Sequence, residues 1–149
     1  MDRAREIITR LKKSYAMEME SVQNYLANSI DLEGPAAEEV KDVLEAAVAT
    51  ELKHARRLAK RNKILGARVP GSLELPRDQN FLQPPMENRD VMAVVRGALR
   101  ARDEAIAQYQ ATIQFTEGSD YLTQDLLIEL IAEEQEQRGL FNDLSSRIS

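Results

Sequence analysis

At 149 residues the chain is the size of one domain, long enough to withdraw roughly 68–70% of its unfolded surface from water on folding. Its composition is 43% hydrophobic and 30% charged, with four tyrosines, three phenylalanines and no tryptophan, and its wealth of Ala, Leu, Glu, Arg and Gln favours an all-helical fold. A formal net charge of −5 with no compensating basic stripe argues against nucleic acid as a partner, and the absence of cysteine excludes disulfides and thiolate metal centres, so any metal must be held by oxygen and nitrogen.

The N-terminal stretch MDRAREIITRLKKSYAM is basic, but its apolar spacing runs on into the following residues and marks it as structure rather than a targeting peptide. The first helix is expected over about 2–32, closed by Glu33-Gly34-Pro35. A second spans about 36–65 and stops at Gly66. Residues 67–88 hold four of the five prolines and no helical period. A third helix covers about 89–116 and ends at Glu117-Gly118-Ser119-Asp120, and a fourth covers about 121–145. Short loops make helices one and two, and three and four, antiparallel hairpins, while the long connection reads as a crossover that sets helices two and three parallel. The whole chain is thus expected to be a single four-helix-bundle domain. No run reaches the length of a membrane-spanning helix, no membrane partner is expected, and the cytoplasm is the expected location.

Apolar residues at three- and four-residue steps define an inward stripe on each helix. On the first it passes through Leu11, Tyr15, Glu18, Val22 and Tyr25; on the second through Val40, Leu44, Ala47, Glu51, His54 and Leu58. On the third it passes through Val94, Gly97, Ala101, Glu104, Gln108 and Ala111, where the small residues would admit a close neighbour, and on the fourth through Leu127, Leu130, Glu134, Gln137, Phe141 and Leu144. Each stripe carries a carboxylate at a position that the pattern reserves for the core. Four buried, mutually repelling carboxylates are untenable unless protons or cations neutralise them. Glu18 and Glu51 flank Gly34 at nearly equal spacing, and Glu104 and Glu134 flank Gly118 in the same way, a weak internal duplication. Glu51 and His54, at i and i+3, share a helix face and can reach one ion.

In "MEMESVQNY", "ELKHARRL", "RDEAIAQY" and "LIELIAEEQEQ" the chain resembles the ferritin-like di-iron carboxylate proteins, and bacterioferritin most of all. The resemblance implies a ferritin-like bundle with one long crossover, two iron ions (manganese being possible), and ferroxidase activity with O2 or H2O2 as oxidant, in iron storage or detoxification. By the same resemblance Glu51 and Glu134 would bridge the ions, Glu18 and Glu104 would be terminal ligands, and His54 would bind one metal. Gln137 stands where the family has a second histidine, so the second subsite is expected to be weaker, or to be filled through the Gln137 amide oxygen or by Glu133 or Glu136. Leu52 stands where bacterioferritin has a methionine that ligates haem, so no haem is expected. The sequence stops soon after the fourth helix, without the short fifth helix of typical cages, which leaves dimer against cage open, with a homo-oligomer of at least two chains expected.

Taken singly, each of these residues has a plainer reading. Tyr25 reads as core packing with its hydroxyl on a ligand carboxylate, and Glu20, Glu133, Glu136 and the charges of "RRLAKR" read as solvent faces. Two further functions stay open: a metal-binding or assembly protein with an impaired second site and no turnover, and a di-metal oxidase or peroxidase acting on an organic substrate.

Overall fold

The structure, a computed structural model, describes residues 2–148. Four helices make the bundle: α1 (Arg3–Asp31), α2 (Ala37–Ile64), α3 (Val91–Thr116) and α4 (Tyr121–Ile148). Their ends follow local chemistry. Asp2 accepts from the Ala4 amide to open α1, and Asp90 accepts from the Ala93 amide to open α3. Asp120 opens α4 by accepting from the amide and hydroxyl of Thr123. Among the described residues no helix is long and apolar enough to cross a membrane.

Two apolar cores show how the helices run. One gathers Tyr25 and Leu32 near the end of α1, Val40 and Leu44 near the start of α2, Val94 and Ala98 near the start of α3, and Phe141 and Leu144 near the end of α4. The other gathers Leu11 from the start of α1, Leu58 from the end of α2, Tyr109 from the second half of α3, and Leu127 and Leu130 from α4. The starts of α2 and α3 therefore lie at the same end of the bundle. This is the parallel arrangement that requires a long crossover.

The crossover is fastened rather than loose. It carries two short 3-10 turns, Ser72–Glu74 and Asn80–Leu82. Glu20 of α1 accepts from the Asp78 and Gln79 amides at 3.0 and 2.8 Å, so a residue read as a solvent face holds the crossover instead. Buried Asn24 donates to the Gln79 side chain, and Asn28 donates to the Leu82 carbonyl, which satisfies backbone that would otherwise be stranded against the bundle. On the other side Gly97 admits the strand of crossover: a Cβ there would lie 2.4 Å from the Phe81 carbonyl oxygen. The close neighbour expected beside Gly97 is the crossover itself.

Candidate metal centre

Between the two apolar cores lies a layer of charge. Glu18 from α1, Glu51 and His54 from α2, and Glu134 from α4 are each at most 1% exposed. One ligand atom from each lies within 4.8 Å of the others. All four sit on core stripes, so none can be turned outward alone: rotating α2 to release Glu51 would also carry Leu44, Ala47 and Leu58 into water.

His54 Nδ1 is the hub. It stands 2.9 Å from Glu134 Oε1, 3.1 Å from Glu18 Oε2 and 3.6 Å from Glu51 Oε1. Adjacent ligands of an ion held at about 2.1 Å lie about 3 Å apart, so the Glu134 and Glu18 oxygens stand at the spacing from Nδ1 that neighbouring ligands have. With a proton on Nδ1 the ring donates to Glu134 and Glu18. The opposite nitrogen, Nε2, has Glu133 Oε2 at 3.5 Å and no hydrogen-bond partner. With a metal in place of the Nδ1 proton, the carboxylate on that side would favour the proton on Nε2.

Helix α3 brings an arginine to this layer. Arg102 is 1% exposed, and its Nη1 lies 2.7 Å from Glu51 Oε1 while donating to Glu134 Oε2 at 2.9 Å. The guanidinium lies 5.0 Å from the ring centre of Tyr25 and 5.6 Å from that of Phe141. Its Nε and Nη2 have no hydrogen-bond partner, so aromatic faces solvate that side of the cation.

Burial is the largest influence on Glu18 and raises its pKa well above the usual carboxylate range, helped by the Glu134 charge. Burial and the Glu18 charge do the same to Glu51, against the pull of Arg102. Glu134 goes the other way: burial pushes it up, but its bonds to His54 and the Arg102 charge prevail and hold it at about 2. Burial opposes the His54 imidazolium, yet the bond to Glu134 and the charges of Glu51, Glu134 and Glu133 outweigh it and raise the pKa. These directions favour protons on His54 and among Glu18 and Glu51 in the metal-free layer, which would offset its charge. Unpartnered buried atoms remain, Glu18 Oε1 and the Tyr25 and Tyr109 hydroxyls among them. A cation fits such a donor set of hard oxygens and one imidazole.

The structure brings together Glu18, Glu51, His54 and Glu134 but not Glu104. Glu104 is exposed on α3 and pairs with Arg100 at 3.0 Å, beside a surface cavity of about 570 Å³ that it lines with Lys13, Glu20 and Asp78. The stripe expected on α3 is correct to Ala101 and then one residue out of phase: Arg102, Ala105, Tyr109, Thr112 and Thr116 face inward, while Gln108 is only partly buried and Ala111 is exposed. Gln137 is partly buried one turn beyond Glu134, and its Oε1 has no partner. The Tyr25 hydroxyl does not bond a ligand carboxylate; its ring stacks on Phe141 instead. Glu133, read as a solvent face, approaches His54. Leu52 points outward and is 43% exposed. Arg102 does not stand out in the sequence, because an arginine on a weakly apolar helix reads as a surface charge. The only signal was the unbroken spacing from Ala98 through Arg102, Ala105 and Tyr109 to Thr112.

The ferritin-like domain model matches residues 8–149. Among solved structures, the bacterioferritin-related dodecameric thioferritin of Bacteroides fragilis superposes with a TM-score of 0.84 at 25% identity, covering 99% of this chain and 88% of that one. The Desulfovibrio desulfuricans bacterioferritin, described with a diiron site, superposes with a TM-score of 0.81 at 23% identity over 99% of this chain and 82% of that one. An N-terminal deletion mutant of Mycobacterium smegmatis Dps reaches 0.86 at 18% identity, with both chains fully covered. No curated protein matches the sequence.

Proposed function

Because the chain belongs to the ferritin-like domain family, we propose that it binds a divalent transition-metal ion, iron(II) foremost, through Glu18, Glu51, His54 and Glu134, and that it oxidises the iron it takes up. The observation that carries this reading is the imidazole Nδ1 set 2.9–3.6 Å from three buried carboxylate oxygens. Hard oxygens with one imidazole suit iron or manganese better than copper. Iron held there would supply one electron to dioxygen or peroxide, while Glu18, Glu51, His54 and Glu134 would hold the ion in a buried layer and release their protons as it binds.

Anaerobic calorimetric titration with iron(II) tests the binding. Saturable uptake by the natural protein, lost in both His54→Ala and Glu134→Ala, is the expected result; equal uptake by all three proteins contradicts it. Admitting air to the loaded protein then tests turnover through the growth of ferric absorbance.

A second reading, metal binding without turnover, is favoured by the outward position of Glu104 and by Gln137 in place of a histidine. Loaded protein that stays ferrous in air would select it. We further propose a homo-oligomer. The similar thioferritin is dodecameric, and Leu26, Ile30 and Leu52 stand 48%, 72% and 43% exposed on α1 and α2, an apolar cost that a partner chain would remove.

A further inference from the structure

The resemblance in sequence implies two metal ions, yet where a second ion would share carboxylates with the first the structure holds a side chain that is itself a cation. We propose that Arg102 is a fixed substitute for the second ion, so that each chain takes one divalent metal ion. The inference rests on the metal-binding reading above.

Three observations carry it. Arg102 Nη1 pairs with both Glu51 and Glu134, at 2.7 and 2.9 Å, and these are the two carboxylates that would have to bridge a pair of ions. The charge also balances for one ion only. Glu18, Glu51 and Glu134 with Arg102 leave a net charge of −2 beside a neutral imidazole, which a single divalent ion cancels and a second would overshoot in a layer closed to water. Finally, the expected donors for a second ion are out of place: α3 turns Glu104 to solvent, Gln137 offers only a neutral amide, and Glu133 stands at the opposite ring nitrogen of His54 from Glu51 and Glu134.

Arg102 has no easy way out of the site. It is fully buried against Tyr25 and Phe141, so leaving would open the stacked aromatic pair, and arginine does not shed its proton in proteins. The guanidinium is accordingly a permanent charge, present whether or not metal is bound.

The test is the number of ions per chain. The whole oligomer is loaded anaerobically with excess iron(II), and in parallel with manganese(II), then desalted and analysed for metal and protein. The expected values are one ion per chain for the natural protein, one for Arg102→Lys, which keeps the charge, and two for Arg102→Glu, which restores a carboxylate from α3. Should Arg102→Glu fail to fold, Arg102→Asp, which carries the same charge and a carboxylate, takes its place in the same measurement, and the natural protein's own count still decides. Two ions per chain with Arg102 in place would overturn the inference and leave the metal-binding reading standing. No ion in any variant would overturn that reading first. One ion in the natural protein and one in the folded glutamate or aspartate variant would show that Arg102 is not what limits the count.

Discussion

His54 Nδ1 stands 2.9 Å from Glu134 Oε1, a contact between α2 and α4 made by residues 80 apart in sequence. It forms because α2 and α4 pack into the same two apolar cores, which sets the middle of one helix against the middle of the other. Glu133 faces the far side of the same ring, 3.5 Å from Nε2, and it is 38% exposed, so it can be changed without emptying the core. Glu133→Gln should leave the melting temperature nearly unchanged and weaken iron(II) or manganese(II) binding about 10-fold or more, the usual effect of removing a residue that orients a ligand. Calorimetry on both proteins checks it, and unaltered affinity would remove Glu133 from the account.

The buried carboxylates should trade stability for binding. Glu18 has its folded pKa raised by burial and the Glu134 charge, so the native state holds a proton that the unfolded chain releases at lower pH. Stability of the metal-free protein is then highest below the unfolded carboxylate value and falls as pH rises towards the raised folded one. Glu18→Gln removes that loss. The metal-free variant should melt higher than the natural protein at pH 8, converge with it at pH 4, and fail to bind metal. A variant that melts lower at pH 8 would count against the electrostatic reading of the layer.

Gly97 and Gly139 make a matched pair of tests. A methyl group at Gly97 would meet the Phe81 carbonyl oxygen at 2.4 Å, which backbone cannot avoid without shifting the crossover. The overpacking penalty of about 1–3 kcal/mol exceeds the roughly 1 kcal/mol that alanine gains over glycine in a helix, so Gly97→Ala should destabilise. At Gly139, in α4, nothing lies within 4 Å, and the same change should stabilise by up to about 1 kcal/mol. Urea denaturation of the two variants should therefore show midpoints moving in opposite directions.

Asp120 ties the start of α4 to the end of α2. Burial raises its pKa, but the Thr123 hydroxyl and amide and the Arg61 guanidinium outweigh this and hold the carboxyl below its ordinary value. Its contribution is thus complete above the unfolded pKa and disappears as pH falls through the lower folded one. Asp120→Ala should cost about 1–2 kcal/mol at neutral pH, as cap replacements do, and progressively less in acid. A pH-independent difference between the two proteins would refute the charged cap.

The fold was legible in the sequence because its signals were strong and independent: prolines kept to the breaks, a glycine at each hairpin, and a connection too long for a turn. Glu18, Glu51, His54 and Glu134 were legible because they interrupt stripes that are otherwise apolar, so their phase was pinned from both sides. On α3 that support fails. Its second half offers Ala, Tyr and Thr rather than Leu, and a stripe through Glu104 looked as good as one through Arg102. Packing decides the phase there, through Tyr109 against Leu127 and Leu130 and through the rings that receive the guanidinium. The roles of Glu20 and Glu133 were hidden for another reason: each depends on a partner far away in sequence, an amide of the crossover and an imidazole of α2.

The most direct test of the whole account is anomalous diffraction from crystals loaded anaerobically with iron(II), recorded at the iron edge. The account predicts one strong peak per chain, enclosed by Glu18, Glu51, His54 and Glu134, with the Arg102 guanidinium still between Glu51 and Glu134. Density for iron confined to surface carboxylates, with that buried layer empty, would contradict it.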